Sequence, residues 1–140
     1  MDLLLFRHAP AVDADPAEIE HLGELTADAR RALSTEGRER FSSLVEALED
    51  RGVRVDRVLH SPWRRAVETA VLLRPLLRGG SEVCAERAGA PTPALLGRLR
   101  GDRLAVVGHQ PWLGELVALL TGAPSGLIDW KKGGLVWLVG

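Results

Sequence analysis

The sequence predicts an α/β protein built on a mainly parallel β-sheet that helices cover on both faces. Short apolar runs alternate along the chain with segments of helical periodicity, an order typical of parallel sheets. The apolar runs lack polar alternation, as expected of strands that are buried on both faces. The 140 residues are 46% hydrophobic and contain no repeat or linker. They therefore fit a single domain spanning residues 1–140 with one substantial core.

The first half of the chain is expected to supply a central strand and one long helix. Residues 3–6 form an apolar run of strand length. Residues 9–33 show no clean periodicity and contain two prolines, which predicts a long loop that borders or covers a functional site. Ser34 is placed to cap a helix that ends at Arg51-Gly52. The apolar face of this helix comprises Phe41, Leu44, Val45 and Leu48.

The second half continues the alternation of strands and helices. Ser61 is placed as the N-cap of a helix over residues 63–77, with Pro62 at a first-turn position that tolerates proline. Cys84 lies in a short apolar segment, residues 83–85, which is expected to form an edge strand. The remaining elements are strands at residues 55–60, 103–108 and 134–139 and helices at residues 94–99 and 112–120.

Composition and charge argue against several classes of protein. The net charge is −1, so no basic surface for nucleic acid or an anionic membrane is expected. The single cysteine cannot form an internal disulfide, and no cysteine pair has metal-ligand spacing. No apolar stretch approaches the roughly 18 residues of a membrane span, and the first apolar run is too short for a signal peptide. A cytoplasmic monomer is the expectation.

Three predicted strands end on polar residues that could share a site. Arg7-His8 follows the first strand, Ser61 follows the second, and Gly108-His109 follows a third. The carboxyl ends of parallel strands meet at one edge of a sheet, where ligands of open α/β sheets bind. These residues are therefore expected to lie close together.

Two adjacent arginines, Arg64 and Arg65, fall in the first turn of the helix after Ser61. Cations at a helix N-terminus oppose the helix dipole, so their presence favours an anion between them. The planar fork of arginine suits a phosphate group because it donates two parallel hydrogen bonds. The alternative is that both are solvated surface residues, and only one of the two need point inward.

His8 and His109 are compatible with different roles in phosphoryl transfer. A neutral imidazole can attack phosphorus if a carbonyl holds its other N–H and fixes the tautomer. A second, protonated histidine would stabilise the equatorial oxygens of a loose transition state. The alternative is that each is a hydrogen-bonded structural group at the end of a strand.

The motifs that contain these residues resemble the three signatures of the histidine phosphatase (phosphoglycerate mutase-like) superfamily. They are Arg7-His8-Ala9, SPWRRAVET at residues 61–69 and VGHQP at residues 107–111. RALSTEG at residues 31–37 and KGGLVWL at residues 132–138 resemble the small SixA-type phosphohistidine phosphatase branch. The resemblance implies a three-layer α/β/α sandwich with a mixed, mostly parallel sheet. It also implies catalysis with no metal and no cofactor.

The resemblance also implies a role for each matching residue. His8 would be the nucleophile that becomes phosphorylated, and Arg7, Arg65 and His109 would form the phosphate pocket. In the pattern Ser-Pro-x-x-Arg-Ala-x-x-Thr the arginine falls on Arg65, which leaves Arg64 as the outward one. The outer part of the substrate would contact Arg31, oriented by Asp28.

The proton donor has no clear counterpart in this sequence. Larger members of the superfamily use an acidic residue, and Glu86 is the nearest candidate by position. Its neighbours do not match the residues usual in the SixA-type branch. Asp13 and Asp15, in the segment 9–33, are alternatives. Phosphohistidine has a far better leaving group than an alkyl phosphate once its ring nitrogen is protonated, so acid catalysis would matter less for that substrate.

These features together predict a metal-independent phosphatase that hydrolyses phosphohistidine on a protein partner through a phospho-His8 intermediate. The alternative is a small-molecule phosphomonoesterase on the same scaffold, differing mainly in the segment 9–33. A catalytically silent phosphate-binding module is a third hypothesis, but a binder would not need the nucleophile His8. Mutase activity is disfavoured because the chain is short for the insertions that would retain a bisphosphate intermediate.

Overall fold

The computed structural model describes residues 1–84, 91, 93–99, 101–124 and 126–140. Within these residues, five strands form one sheet in the order β3-β2-β4-β1-β5. All neighbours are parallel except β5, which runs antiparallel to β1. The predicted mixed, mostly parallel sheet is therefore confirmed. The strands are β1 (Asp2–Arg7), β2 (Arg57–His60), β3 (Ser81–Val83), β4 (Arg103–Gly108) and β5 (Leu135–Val139).

The strand register brings the three polar strand ends to one edge of the sheet. Arg7 of β1 pairs with Gly108 of β4, and His60 of β2 pairs with Val107 of the same strand. β4 lies between β1 and β2, so the residues that follow each strand emerge side by side.

Helices cover both faces of the sheet, which makes three layers. Side chains of β1 alternate between the faces, with Leu4 and Phe6 on one side and Leu3 and Leu5 on the other. The first face packs against α3 and α4, and the second against α5 and α6. The helices are α1 (Pro16–Leu22), α2 (Glu24–Ala29), α3 (Thr35–Asp50), α4 (Arg64–Leu72), α5 (Pro93–Leu96) and α6 (Trp112–Thr121). Within the described ranges, no helix is both long and apolar enough to cross a bilayer.

The predicted cap of α3 is confirmed, since Ser34 Oγ accepts a hydrogen bond from Gly37 N at 2.9 Å. At the other end the chain leaves the helix through Arg51 and then Gly52, whose φ of +78° suits glycine.

The prediction of an unstructured loop over residues 9–33 was wrong, because α1 and α2 lie within it. Asp15 caps α1 by accepting from Ala17 N, and Pro16 begins the helix. Both helices are short and mostly exposed: α1 buries no residue, and α2 buries only Ala27. A helix that buries so little has no apolar stripe, so periodicity could not reveal it.

Several predicted boundaries also shift. Ser61 is not the N-cap of α4, which begins at Arg64 after Trp63; Ser61 Oγ instead accepts from Trp63 N. The helix ends at Leu72 and a 3-10 turn, Arg74–Leu76, follows, because Pro75 cannot donate the helical hydrogen bond. The edge strand is Ser81–Val83, so buried Cys84 comes just after it.

Candidate active site

His8 lies directly after β1 and is only 6% exposed. Its Nδ1 is 2.8 Å from the carbonyl oxygen of Ala9, which can only accept, so Nδ1 carries the proton and donates. In a neutral ring the other nitrogen, Nε2, then keeps its lone pair. The local fold therefore fixes the tautomer that a nucleophilic histidine requires.

The surroundings of His8 also keep its ring neutral. Burial is the main cause that lowers the pKa of His8 to about 4, and the charges of Arg65, Arg7 and Lys132 lower it further. The hydrogen bond to the Ala9 carbonyl opposes this shift without cancelling it. At neutral pH the imidazole is consequently uncharged and available to attack an electrophile.

The backbone around His8 is held from three sides. His8 N donates to Gly108 O of β4 at 3.0 Å, and His8 O accepts from Gly133 N at 2.9 Å. On the third side, Ala9 N donates to Oγ1 of the fully buried Thr69, which itself donates to Arg65 O at 2.7 Å. Thr69 therefore couples the His8 loop to the helix that carries Arg65.

Arg7, the last residue of β1, donates from Nη1 to the carbonyl of Trp130 at 2.6 Å. Its buried Nε has no hydrogen-bond partner among the described residues. Burial lowers the pKa of Arg7 and the charge of Asp129 raises it, but a guanidinium remains protonated in proteins. Arg7 is thus a fixed cation beside His8 with donor capacity left for a ligand.

Of the two adjacent arginines, Arg65 is the inward one. Arg65 is 6% exposed, whereas the side chain of Arg64 is 59% exposed and pairs with Glu68 at 3.4 Å. Arg65 Nη1 donates to Asp28 O at 2.6 Å, and Nη2 lies 3.4 Å from Asp28 Oδ2. Its guanidinium carbon is 4.5 Å from the ring centroid of Trp63. The helix therefore presents one cation to the site and the other to solvent.

His109, the residue after β4, completes the cluster. Its ring centroid is 5.1 Å from that of His8 and 5.2 Å from that of Trp63. Its Nε2 lies 2.8 Å from Ser61 Oγ, within hydrogen-bonding distance. An open depression at this edge is lined by Asp28, Trp63, Arg65, His109, Gln110, Pro111 and Trp112.

Arg31 lies outside this cluster and reaches it only through Asp28. Its Nη1 donates to Asp28 Oδ1 at 3.0 Å and its Nε donates to Val12 O at 2.7 Å. The predicted pairing of Arg31 with Asp28 is therefore present. The second function of Asp28, holding Arg65, had no signal in the sequence because the two residues lie far apart in the chain.

Of the predicted proton donors, Glu86 lies outside the described residues, and neither Asp13 nor Asp15 lines the depression. Asp13 is exposed, and Asp15 accepts from Ala17 N as the cap of α1. Burial raises the pKa of Asp28, but the Arg31 hydrogen bond and the charges of Arg65 and Arg31 outweigh it and lower the pKa overall. Asp28 is thus an ionised carboxylate, which cannot donate a proton.

Across the described part of the chain, no three His, Cys, Asp or Glu side chains gather in a group that could hold a metal ion. The polar groups at the site are instead suited to an anion, because the guanidinium groups of Arg7 and Arg65 flank a neutral histidine.

The fold and the site together define an α/β protein whose sheet edge is equipped for phosphoryl chemistry. Residues 3–85 match the histidine phosphatase superfamily (branch 1), and the chain belongs to this family. It is 32% identical over 149 aligned residues to an uncharacterised protein of Picosynechococcus sp., covering 99% of this chain and 84% of that protein. Family membership implies a phosphatase.

Solved structures share the fold. The protein histidine phosphatase SixA in complex with tungstate superposes with a TM-score of 0.78 at 24% identity, covering 99% of this chain and 88% of that one. A proposed phosphohistidine phosphatase SixA from Agrobacterium tumefaciens gives 0.74 at 23% identity, with 97% and 89% covered. A phosphoserine phosphatase from Entamoeba histolytica, in complex with 3-phosphoglyceric acid, gives 0.65 at 12% identity, with 99% and 90% covered.

Proposed function

We propose that the chain hydrolyses phosphohistidine on a protein partner through a phospho-His8 intermediate. The observation that carries the proposal is the state of His8. Its Nδ1–H is held by the Ala9 carbonyl at 2.8 Å and its pKa is lowered to about 4, so Nε2 is an unprotonated nucleophile at neutral pH.

In the first step Nε2 of His8 attacks phosphorus in line with the bond to the substrate's imidazole nitrogen. The new P–N bond forms as the old one breaks, and the substrate's imidazole, already protonated on its other ring nitrogen, departs with the electron pair as a neutral ring. In the second step water attacks phospho-His8, the P–N bond to His8 breaks, and inorganic phosphate leaves. His8 returns to its neutral form with the proton on Nδ1.

Arg7, Arg65 and His109 stabilise the charge on the equatorial oxygens in both steps. Two guanidinium groups and the His109 imidazole act strongly here because they are already placed and partly shielded from water. Ser61 Oγ, 2.8 Å from Nε2 of His109, orients that ring. Thr69 holds the His8 loop against the helix that carries Arg65, because its hydroxyl bonds to the backbone of both Ala9 and Arg65.

The choice of phosphohistidine as substrate rests on the leaving group. An imidazole with a protonated ring nitrogen leaves readily, whereas an alkoxide requires an acid that protonates it during departure. The one acidic residue placed in the described depression, Asp28, is ionised and paired with arginines. The similarity in fold to SixA, named as a protein histidine phosphatase, supports the same choice.

A small-molecule phosphomonoesterase is the second candidate. It is favoured by the similarity in fold to a phosphoserine phosphatase, which extends over 99% of this chain. The two candidates share the His8 mechanism and differ in the leaving group and in what the segment 9–33 and the open depression admit.

The test compares turnover of a phosphohistidine protein with turnover of a panel of phosphate monoesters by the same preparation. We expect kcat/KM to favour the phosphohistidine protein by at least about a hundredfold, in line with the range of general acid catalysis that esters would lack. A preference for any ester would replace the first candidate with the second. No turnover of either class would leave a phosphate-binding module.

A further inference from the structure

A turn at residues 129–134 lies against the strand end that carries Arg7 and His8. Gly133 N is 2.9 Å from His8 O and 3.1 Å from Arg7 O, and Arg7 N donates to Gly134 O at 3.0 Å. On the other side of the turn, the carbonyl of Trp130 accepts from Arg7 Nη1 at 2.6 Å. The backbone on both sides of Lys132 is thereby tied to Arg7-His8.

Gly133 suits this turn because its φ of +77° is in the left-handed region that favours glycine. Space is not the reason, since a Cβ there would make only an ordinary van der Waals contact of 3.8 Å with Ala9 Cα. The turn therefore packs on the His8 loop, and the exposed residue Lys132 directly precedes the glycine whose N–H lies between the carbonyls of Arg7 and His8.

The two lysines of the turn differ in their partners. Lys131 pairs with Asp129 at 3.0 Å. No ion pair of Lys132 occurs among the described residues, and its ammonium is close enough to His8 for its charge to act there. Of two adjacent exposed cations, one is neutralised by a neighbour and the other remains available beside the nucleophile.

We propose that Lys132 is a third cationic ligand of the phosphoryl group, together with Arg7 and Arg65, and that it stabilises phospho-His8. The proposal rests on the phosphatase function above. Arginine binds phosphate in a fixed planar geometry, whereas lysine is a point charge on a flexible stem. Lys132 can therefore follow the phosphoryl group as it passes from the substrate to His8, while the two anchored guanidinium groups stay in place.

The test compares Lys132→Gln with Lys131→Gln, a matched control one residue away. Binding of inorganic phosphate is measured by calorimetry at low ionic strength. Lys132→Gln should weaken phosphate binding roughly threefold to tenfold. An exposed ion pair contributes only modestly to binding, but the double negative charge of the phosphate strengthens the attraction to the Lys132 ammonium. Lys131→Gln should stay within about twofold of the parent, and Lys132→Arg should restore most of the loss. Equal binding by the two glutamine variants would overturn the proposal.

A second measurement follows the His8 ring by NMR titration. Among the described residues, the charged or titratable groups close to this ring are Arg7 beside it, Arg65 from α4, His109 from the end of β4 and Lys132 from the turn. Removing the Lys132 charge should raise the pKa of His8 towards its ordinary value, and Lys131→Gln should leave it unchanged. If the turn had only a structural role, Lys132→Gln and Lys131→Gln would affect the pKa of His8 alike. An equal pKa of His8 in the two variants would therefore contradict the proposal.

Neither phosphate binding nor the pKa of His8 requires turnover to be measured. The role of Lys132 can therefore fail or hold independently of the proposed hydrolysis of phosphohistidine. If phosphohistidine is not hydrolysed but only Lys132→Gln loses phosphate affinity, the function fails and the role of Lys132 as a phosphate ligand stands. If phosphohistidine is hydrolysed and both variants bind phosphate equally, only Lys132 is excluded.

Discussion

The two sides of the site are built differently. The inner wall, which we define as Arg7, His8, Arg65 and His109, stands on strand ends and one helix; three of its residues follow or end strands at a single edge. The outer segment, residues 9–33, carries two short helices, and Ala27 is its only buried residue between the two ends. Few buried contacts hold the outer segment, so it can vary in conformation at little cost. We therefore propose that the chemistry resides on the rigid side and substrate selection on the exposed side.

Asp28 is the link between the two sides, since it holds Arg65 and Arg31 at once. If the division is correct, substitutions of the inner wall should reduce turnover of every substrate. Substitutions of the outer segment should act mainly on KM and on the choice of substrate.

Apart from loss of His8 itself, the largest effect is expected from Arg65→Ala. Loss of a buried donor to the transferring phosphoryl group should lower kcat/KM by about 10²–10³-fold for all substrates. Arg64→Ala is the matched control, because Arg64 is exposed and pairs with Glu68 on its own helix. Steady-state kinetics of the two variants check this, and similar losses in both would remove Arg65 from the phosphate pocket.

Protonation of His8 should make the fold less stable in mild acid. The pKa of His8 is about 4 in the folded chain, against an ordinary value of 6.5 for histidine. Between these values the unfolded chain binds the proton and the folded chain does not, so the free energy of unfolding falls as the pH drops from about 6.5 to about 4. The full loss is on the order of 3 kcal/mol and is complete below the folded pKa.

Urea unfolding across this pH range checks the prediction, with His8→Gln as the variant that lacks the titration. The parent should lose stability more steeply than His8→Gln. Parallel curves for the two proteins would mean that His8 titrates normally, which the burial argument does not allow.

Thr69→Val tests how the inner wall is held together. The variant keeps the shape of the fully buried side chain but leaves Ala9 N without its acceptor. A buried donor left unsatisfied costs about 1–3 kcal/mol of stability. Thr69→Ser, which retains the hydroxyl, should recover most of that loss. Thermal and urea unfolding measure both variants, and a Val variant as stable as the Ser variant would show that the hydroxyl does not matter.

The smallest effects are expected on the outer side, and the first of them is that of Asp28→Ala. Arg65 would lose its carboxylate partner but keep the backbone carbonyl of residue 28, which accepts at 2.6 Å. We expect a loss of about tenfold in kcat/KM, mainly through KM, because Arg65 is displaced without being removed. Arg31→Ala should produce a smaller change of the same kind. A fall in kcat as large as that of Arg65→Ala would place Asp28 in the chemistry and break the division between the two sides.

The inner wall could be predicted from the sequence to a large extent. Apolar runs that end on Arg7-His8 and Gly108-His109 are enough to place these residues at one edge, because parallel strands share their carboxyl side. The inward position of Arg65 follows from the Ser-Pro-x-x-Arg-Ala-x-x-Thr pattern, and the structure agrees with it. The same motif contains Ser61 and Thr69, whose contacts with His109 and Ala9 were not foreseen.

The outer side could not be predicted in the same way. Helices that bury one residue or none leave no periodic signal, and capping by Asp15 was concealed among other acidic residues. The Asp28–Arg65 contact joins residues 37 positions apart, and the proximity of Lys132 to His8 spans almost the whole chain. Such contacts depend on how the strands are ordered in the sheet, which local patterns do not encode.

The most direct test of the account is to identify the phosphorylated residue of the enzyme itself. The parent, His8→Ala and His21→Ala are mixed briefly with phosphoramidate, quenched in alkali and analysed by peptide mass spectrometry with fragmentation. His21 is an exposed histidine in the last turn of α1 and serves as the control. We expect phosphate on His8 in the parent and in His21→Ala, and none in His8→Ala. Release of phosphate with no label on His8, or an equal label in His8→Ala, would contradict it.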